Sequence, residues 1–303
     1  MIDTVYSIVV TFNGSQWIYK CLESLGQHKV IVVDNASTDN TIEIIEKNFP
    51  ETIIVRNAKN LGFGRANNIG LKKALDAGTD YVFLLNQDAW VESDTIEKLI
   101  GIQKNHPQFG VLSPIHLSGE LSSLDDKFNS FLRREQGKSL LDDLLIYNNK
   151  IKLVYPMKFI NAAAWLISKG CLERVGGFDP IFPHYGEDND FLKRCFYHGY
   201  KLGVVPDTYI YHDRNRDVKL LDEKLNVDNL YINFLKEIKV IDHDFIKKYQ
   251  SFQLLTFKKI LWMLLSGKIS SALIYMKAYY KVRKNKGLLK SNIQASVDGR
   301  AFI

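Results

Sequence analysis

Residues 5–13, Val5-Tyr6-Ser7-Ile8-Val9-Val10-Thr11-Phe12-Asn13, decide how the chain begins to fold. The run is β-branched and aromatic, and it ends on polar groups. That pattern predicts a buried strand over Val5–Phe12 with its C-terminal end at Thr11-Phe12-Asn13. The same alternation continues downstream. Trp17–Leu25 has helical spacing, and Val30–Val33 is a second strand ending at Asp34-Asn35. Ser37-Thr38-Asp39 supplies a helix N-cap for Thr41–Lys47. Thr52–Val55, helix 64–74 and strand Tyr81–Leu85 follow, the last running into Asn86-Gln87-Asp88. Helix 93–104 and strand 109–113 complete the series. Strands separated by helices imply right-handed βαβ units, hence an α/β fold with a mostly parallel sheet covered on both faces. Ligands of such sheets bind beyond the strands' C-terminal ends.

Residues 116–155 lack a clean period and read as a partly helical excursion that lies over the site, on its acceptor side. Order returns at Phe159–Ile167 and Lys201–Val205. From 219 onward helical spacing dominates. The expected organisation is therefore a catalytic domain over 1–218 and a helical extension over 219–303.

Charge follows the same division. The 303 residues carry a net +6, but residues 219–303 hold 16 Lys/Arg against 7 Asp/Glu, leaving 24 basic against 27 acidic in the remainder. The molecule as a whole is thus no basic coat for nucleic acid. Apolar residues at 46% and charged residues at 24% are ordinary for globular chains and exclude wholesale disorder. Three cysteines, Cys21, Cys171 and Cys195, have neither zinc nor disulfide spacing and suit a reducing cytoplasm. The apolar run Ile260–Leu265 is far shorter than the roughly 20 residues needed to cross a bilayer. The first residues do not resemble a secretory leader.

Several clusters could carry chemistry. Asp88 follows a strand directly and either caps a turn or holds a hard divalent cation, Mg²⁺ or Mn²⁺. His212, in the stretch YIYHDR, is either a hydrogen-bonded structural residue or a second ligand. Glu187-Asp188-Asn189-Asp190 opens a helical segment. The helix dipole accounts for one or two of these acids, and a carboxylate in a cleft would serve as general base. Residues 60–68, NLGFGRANN, lead into a helix and either contact a phosphate or solvate the helix start. Neither GxGxxG nor GxxxxGK[ST] occurs, so a dinucleotide-binding or P-loop reading has no support.

The ordered series VVTFNG, VIVVDNASTDNT, NLGFGRANNIG, YVFLLNQDAW, GGFDPIFPHYGEDNDFLKR and GVVPDTYIYH resembles the family 2 glycosyltransferases, closest to the branch of bacterial rhamnosyltransferases. It spans roughly residues 4–215. The resemblance implies the GT-A fold and an inverting, metal-dependent transfer from a UDP- or dTDP-sugar to a hydroxyl of a glycan or lipid-linked glycan, in cell-surface polysaccharide synthesis. It implies a nucleotide pocket formed by Thr11, Phe12, Asn13, Asp34, Asn35, Asn60, Gly62, Arg65, Asn86 and Gln87. Asp88 and His212 become metal ligands, Asp188 the base, and Glu187 an acceptor-orienting group. Asn86 stands where many relatives carry an acid, which shifts reliance toward the donor's diphosphate. Trp165 is expected either to stack on the acceptor or to sit in the core. Two other classes compete: a sugar-nucleotide pyrophosphorylase, whose glycine-rich basic loop is missing from VVTFNGSQW, and an inactive glycan- or lipid-binding scaffold.

Residues 245–290 contain 11 basic residues and no acid, interleaved with Phe, Trp, Tyr and Leu. Such helices either pack on the catalytic domain or pair in a homo-oligomer, or they rest on an anionic membrane surface at the inner face of the cell membrane. No nucleic-acid recognition motif accompanies the charge.

Overall fold

The computed structural model describes residues 3–120, 122–133, 137–146, 150–214, 226–241 and 244–303. The expected boundary at 218/219 lies outside them.

Among the described residues, β1 (Val5–Thr11), β2 (Lys29–Asp34), β3 (Ile53–Arg56) and β4 (Tyr81–Asn86) form the parallel half of one sheet, in the order β3-β2-β1-β4. They are joined by α1 (Ile18–Ser24), α2 (Thr41–Asn48) and α3 (Phe63–Asp76). β1 is buried along most of its length, as its run of β-branched residues requires. α3 lies close on it: a Cβ at Gly70 would meet Ile8 Cγ2 at 2.6 Å, so the packing needs a glycine there. The cap of α2 differs from expectation. Asn40 takes the N-cap position without a side-chain bond, and Asp39 accepts from the Thr41 amide instead.

The second half of the sheet is mixed. After β5 (Ala89–Val91) and α4 (Thr95–Asn105) come β6 (Phe109–Ser118), α5 (Asp126–Leu132), α6 (Lys138–Leu145), β7 (Tyr155–Met157) and β8 (Ala164–Ser168). α7 (Lys169–Val175), α8 (Glu187–Tyr197) and β9 (Lys201–His212) follow. β8 inserts antiparallel between β4 and β6, and β9 pairs parallel to β6. Both β6 and β9 run well past the ends read from sequence. Those readings stop just before Pro114 and Pro206. The structure carries the strands through, with a register shift at Pro114/Ile115 that accommodates residues unable to donate to the ladder. The shift matters because it delivers His212 to the sheet's working end, opposite Ser118 and Ala89.

Alternate side chains of the strands feed two cores, one on each sheet face: Tyr6 and Ile8 on one side, Val5 and Val9 on the other. A third core, built on Ile181 and Phe182, belongs to α9 (Val227–Ile238), α10 (Phe245–Leu265), α11 (Ile269–Lys284) and α12 (Lys286–Asp298). A buried ionic group ties these helices to the sheet half. Lys239 Nζ lies 2.9 Å from Asp179 Oδ2 and bonds Asp190, which also accepts from Arg194 Nε at 2.9 Å. Asn292 of α12 donates to Asp179 at 2.7 Å. Removing one member strands the others without water. We expect Lys239→Met to cost about 3–5 kcal/mol in urea unfolding; an unchanged midpoint would mean that the group contributes nothing to the attachment. The three cysteines are buried and unbridged, with the Cys171 and Cys195 sulfurs 3.7 Å apart.

Candidate active site

The C-terminal ends of β1, β2 and β4 finish level with one another: Thr11 pairs with Asp34, and Val10 with Asn86. The polar residues there divide into those that hold the loops and those left available. Gln87 folds back, accepting from Thr11 Oγ1 at 2.6 Å and the Phe12 amide at 2.9 Å, and donating to the Phe12 carbonyl. Thr11 is 0% exposed. Asn35 accepts from Asn57 and Leu61 and donates to the Gly62 carbonyl. Thr11, Asn35 and Gln87 thus brace the rim through their own bonds. A buried polar group must find a partner, and here the partners are internal.

The expected nucleotide residues that are exposed are Phe12, Asn13, Asn60 and Arg65. Asn13 holds a positive φ of 47°, with its backbone amide donating to Ser37 Oγ and its side-chain Oδ1 accepting from the Thr38 amide. Asp34 is turned inward and accepts from Ser37 through both amide and hydroxyl. Gly62 has φ 82°, and a Cβ there would lie 2.6 Å from the Pro183 carbonyl, so this loop closes tightly on the 180s segment. Arg65 reinforces the closure by donating twice to the Pro180 carbonyl.

Trp165 is fully buried in an aromatic triangle with Phe178 and Phe191. The expectation that it stacks on an acceptor is corrected: β8 is an interior strand, and no ring face reaches the surface.

Asp88, just past β4, and His212, ending β9, meet although 124 residues separate them: Nε2 lies 3.2 Å from Asp88 Oδ1. Asn86 Nδ2 is 3.5 Å from the same nitrogen. Behind the ring, Nδ1 faces Asp125 Oδ2 at 3.5 Å. Burial pushes the Asp125 carboxyl up, but the Arg214 bond and charge outweigh it and hold it below the ordinary value. Nε2 is the ring nitrogen within hydrogen-bond distance of a carboxylate, whereas Nδ1 makes no hydrogen bond at its 3.5 Å from Asp125. An ionised Asp125 would draw the proton to Nδ1 once a cation took the Nε2 lone pair. Burial and the neighbouring His212 push His116 down to about 3, so this second imidazole stays neutral. A cavity of about 270 Å³, lined in part by Trp17, Asp125, His212 and Asp213, opens beside the pair.

Asp188 lies in the first turn of α8, where the preceding backbone takes two successive positive φ values, 64° at Tyr185 and 100° at Gly186. Its Oδ1 accepts from the Asn189 amide. Burial raises its pKa, partly offset by that bond and by the Lys236 and Lys127 charges. Burial and the Arg214 charge lower the Lys127 pKa, partly offset by Asp125 and Asp188. Glu187 is buried against Gly64, and its Oε2 has no hydrogen-bond partner. Burial pushes it up to about 7 from 4.5. An acid protonated more readily when folded stabilises at low pH and loses that contribution as pH rises from about 4.5 to 7. We therefore expect Glu187→Gln to be neutral in thermal melts at pH 5 and to gain roughly 2–4 °C at pH 8. A loss at pH 8 would show a stabilised carboxylate instead.

Asp125, Lys127 and Arg214 escaped the sequence reading, and Ser37 entered it only as part of a helix cap. Asp125 carries only a helix-cap signal, and it does cap α5 by accepting from the Phe128 amide. Nothing in the sequence around it points to His212.

The family model described as Glycosyl transferase family 2 matches residues 7–154, and it and the relatives that follow support a family 2 glycosyltransferase. The chain is 24% identical over 239 residues to N-acetylglucosaminyl-diphospho-decaprenol L-rhamnosyltransferase of Mycobacterium tuberculosis, covering 71% of this chain and 77% of the relative. It is 21% identical to the dTDP-rhamnosyl transferase RfbF of Shigella flexneri over 99% of this chain and 96% of the relative. The Staphylococcus aureus TarS 1–349 structure in complex with UDP-GlcNAc superposes with a TM-score of 0.56 at 16% identity, over 97% of this chain and 88% of that one. That superposition shows the GT-A fold.

Proposed function

We propose that this chain transfers a sugar, with inversion, from a UDP- or dTDP-sugar to a hydroxyl of a glycan or lipid-linked glycan in cell-surface polysaccharide synthesis. Its place of work is the cytoplasm, at the inner face of the membrane. The observation that carries the reading is the meeting of Asp88 and His212 at the sheet's rim. Asp188, in the first turn of α8, makes no ion pair among the described residues and is the proposed base. The rhamnosyltransferase names of the relatives support the donor and acceptor classes.

Among the described residues no three acidic, histidine or cysteine side chains surround one point. Mg²⁺ and Mn²⁺ do not require that, since one or two protein ligands suffice when a diphosphate supplies further oxygens. Asp88 Oδ1 and His212 Nε2, with Nδ1 turned to a carboxylate, fit such a cation. When bound it would neutralise the charge growing on the departing diphosphate. The chain's own groups do the rest. Phe12 and Asn13 hold the nucleoside, beside Asp34, Asn60 and Gly62. Asp188 accepts the proton of the acceptor hydroxyl as its oxygen bonds the anomeric carbon and the bond to the diphosphate breaks. The unpartnered Glu187 oxygen receives a sugar hydroxyl. Domains divide near 218, and residues 116–155 supply the acceptor side.

The test is a thermal-shift screen of nucleotide sugars with Mn²⁺, followed by assay of nucleoside diphosphate release. A donor at a hundred times its Kd stabilises by about 2.7 kcal/mol, a shift of several degrees. We expect a shift with a UDP- or dTDP-sugar and slow metal-stimulated release. A shift without release would indicate an inactive scaffold, and no shift with any pyrimidine donor would sink the reading.

A further inference from the structure

α10 and α11 form an antiparallel hairpin that turns at Gly267. Its inner side is buried through Phe252, Met263, Tyr275 and Val282, so much of 245–290 is committed to packing. Its outer side is not. Ile269, Leu273, Met276 and Tyr280 recur at four-, three- and four-residue steps and are exposed at 59%, 49%, 46% and 66%. That spacing is one stripe along α11. At the turn Trp262, Leu264 and Leu265 are exposed at 55%, 46% and 80%. Lys258, Lys259, Lys268 and Lys277 are exposed among them, with Lys268 Nζ 4.7 Å from the Trp262 ring. Leu273, Met276 and Tyr280 of the stripe line an open groove of about 1210 Å³ together with Pro183, His184 and Tyr185, which precede the start of α8.

An apolar patch of this extent on a water-facing surface calls for a partner. A second copy of the hairpin fits poorly, because its nine basic residues, with no acid between 245 and 284, would face nine more. A nucleic acid would use the lysines but leave Leu264, Leu265 and Ile269 in water. Apolar side chains flanked by lysines match a headgroup layer of negative charge over hydrocarbon. No helix among the described residues is long and apolar enough to cross a membrane, so the contact is with the surface.

We propose that the hairpin tip, residues 261–270, docks this chain on an anionic lipid bilayer, with the α11 stripe and its groove leading from that bilayer toward the start of α8. This deepens the transferase reading, and only the groove's service to a lipid-borne acceptor rests on it. The experiment is co-sedimentation of the full chain with vesicles of phosphatidylcholine containing about 30 mol% phosphatidylglycerol, against phosphatidylcholine alone. We expect binding only to the anionic vesicles, weakened by 0.5 M salt. We expect Leu264→Glu/Leu265→Glu to weaken it at least about tenfold, with nucleoside diphosphate release in solution unchanged. Binding retained in a preparation that never turns over donor would uphold the docking while sinking the transferase reading. Absence of binding to anionic vesicles at low salt would overturn the docking. So would equal binding by the double variant, or a dimer in light scattering that the variant dissolves.

Discussion

Asp188→Asn should lower turnover by about 10³-fold while leaving donor affinity within about twofold. The substitution keeps the shape of the side chain and can still accept from the Asn189 amide, so the start of α8 should persist. What it removes is a group able to take a proton, and general-base assistance is worth roughly 10²–10⁴-fold. The pH profile supplies an independent check. Burial raises the Asp188 pKa, and transfer needs the carboxylate. Activity should therefore fall, as pH drops, at a higher pH than an exposed aspartate would give. Glu187 lies next in sequence, and burial and the Asp188 charge push it up to about 7. Glu187→Gln should retain measurable transfer. Activity in Asp188→Asn comparable to that of the native chain would remove Asp188 from the mechanism.

The parallel half of the sheet was readable because each strand is an uninterrupted apolar run that ends in polar residues. β1, β2 and β4 begin and end within a residue or two of expectation. The direction of β8 was not readable, since a strand buried on both faces presents the same pattern either way round. β6 and β9 were cut short for a specific reason. Proline ends a ladder unless a register shift accommodates it, and the shift at Pro114/Ile115 appears only when the two strands are paired. At the site, residue type at a strand end did not distinguish a ligand contact from a brace. Thr11, Asn35 and Gln87 share the chemistry of Asn13 and Asn60, but their partners come from other loops. Asp125 shows the converse. It sits in a stretch without clear periodicity, and its meeting with His212 depends on β6, where the Asp125 amide donates to the His116 carbonyl beside β9.

The meeting of Asp88 and His212 leads to the second large expected effect. In calorimetry with UDP, the native chain should bind more tightly with Mn²⁺ than with a chelator present, and Asp88→Ala should abolish that difference. The loss should be at least about tenfold in the metal-dependent affinity, with the chelated value unchanged, because Phe12 and Asn13 remain in place. His212→Ala should act in the same direction. It also vacates the space in front of Asp125, which keeps Arg214 as its partner, so the fold should survive and a melting curve can confirm it. Asp125→Asn separates positioning from ligation. Its amide cannot favour the Nδ1 proton as an ionised carboxylate does, so metal affinity should fall by a smaller factor while His212 and Asp88 stay intact. A metal-dependent gain that survives in Asp88→Ala would mean that the two side chains meet for structural reasons alone. The charge on the departing diphosphate would then have to be met by groups elsewhere on the rim.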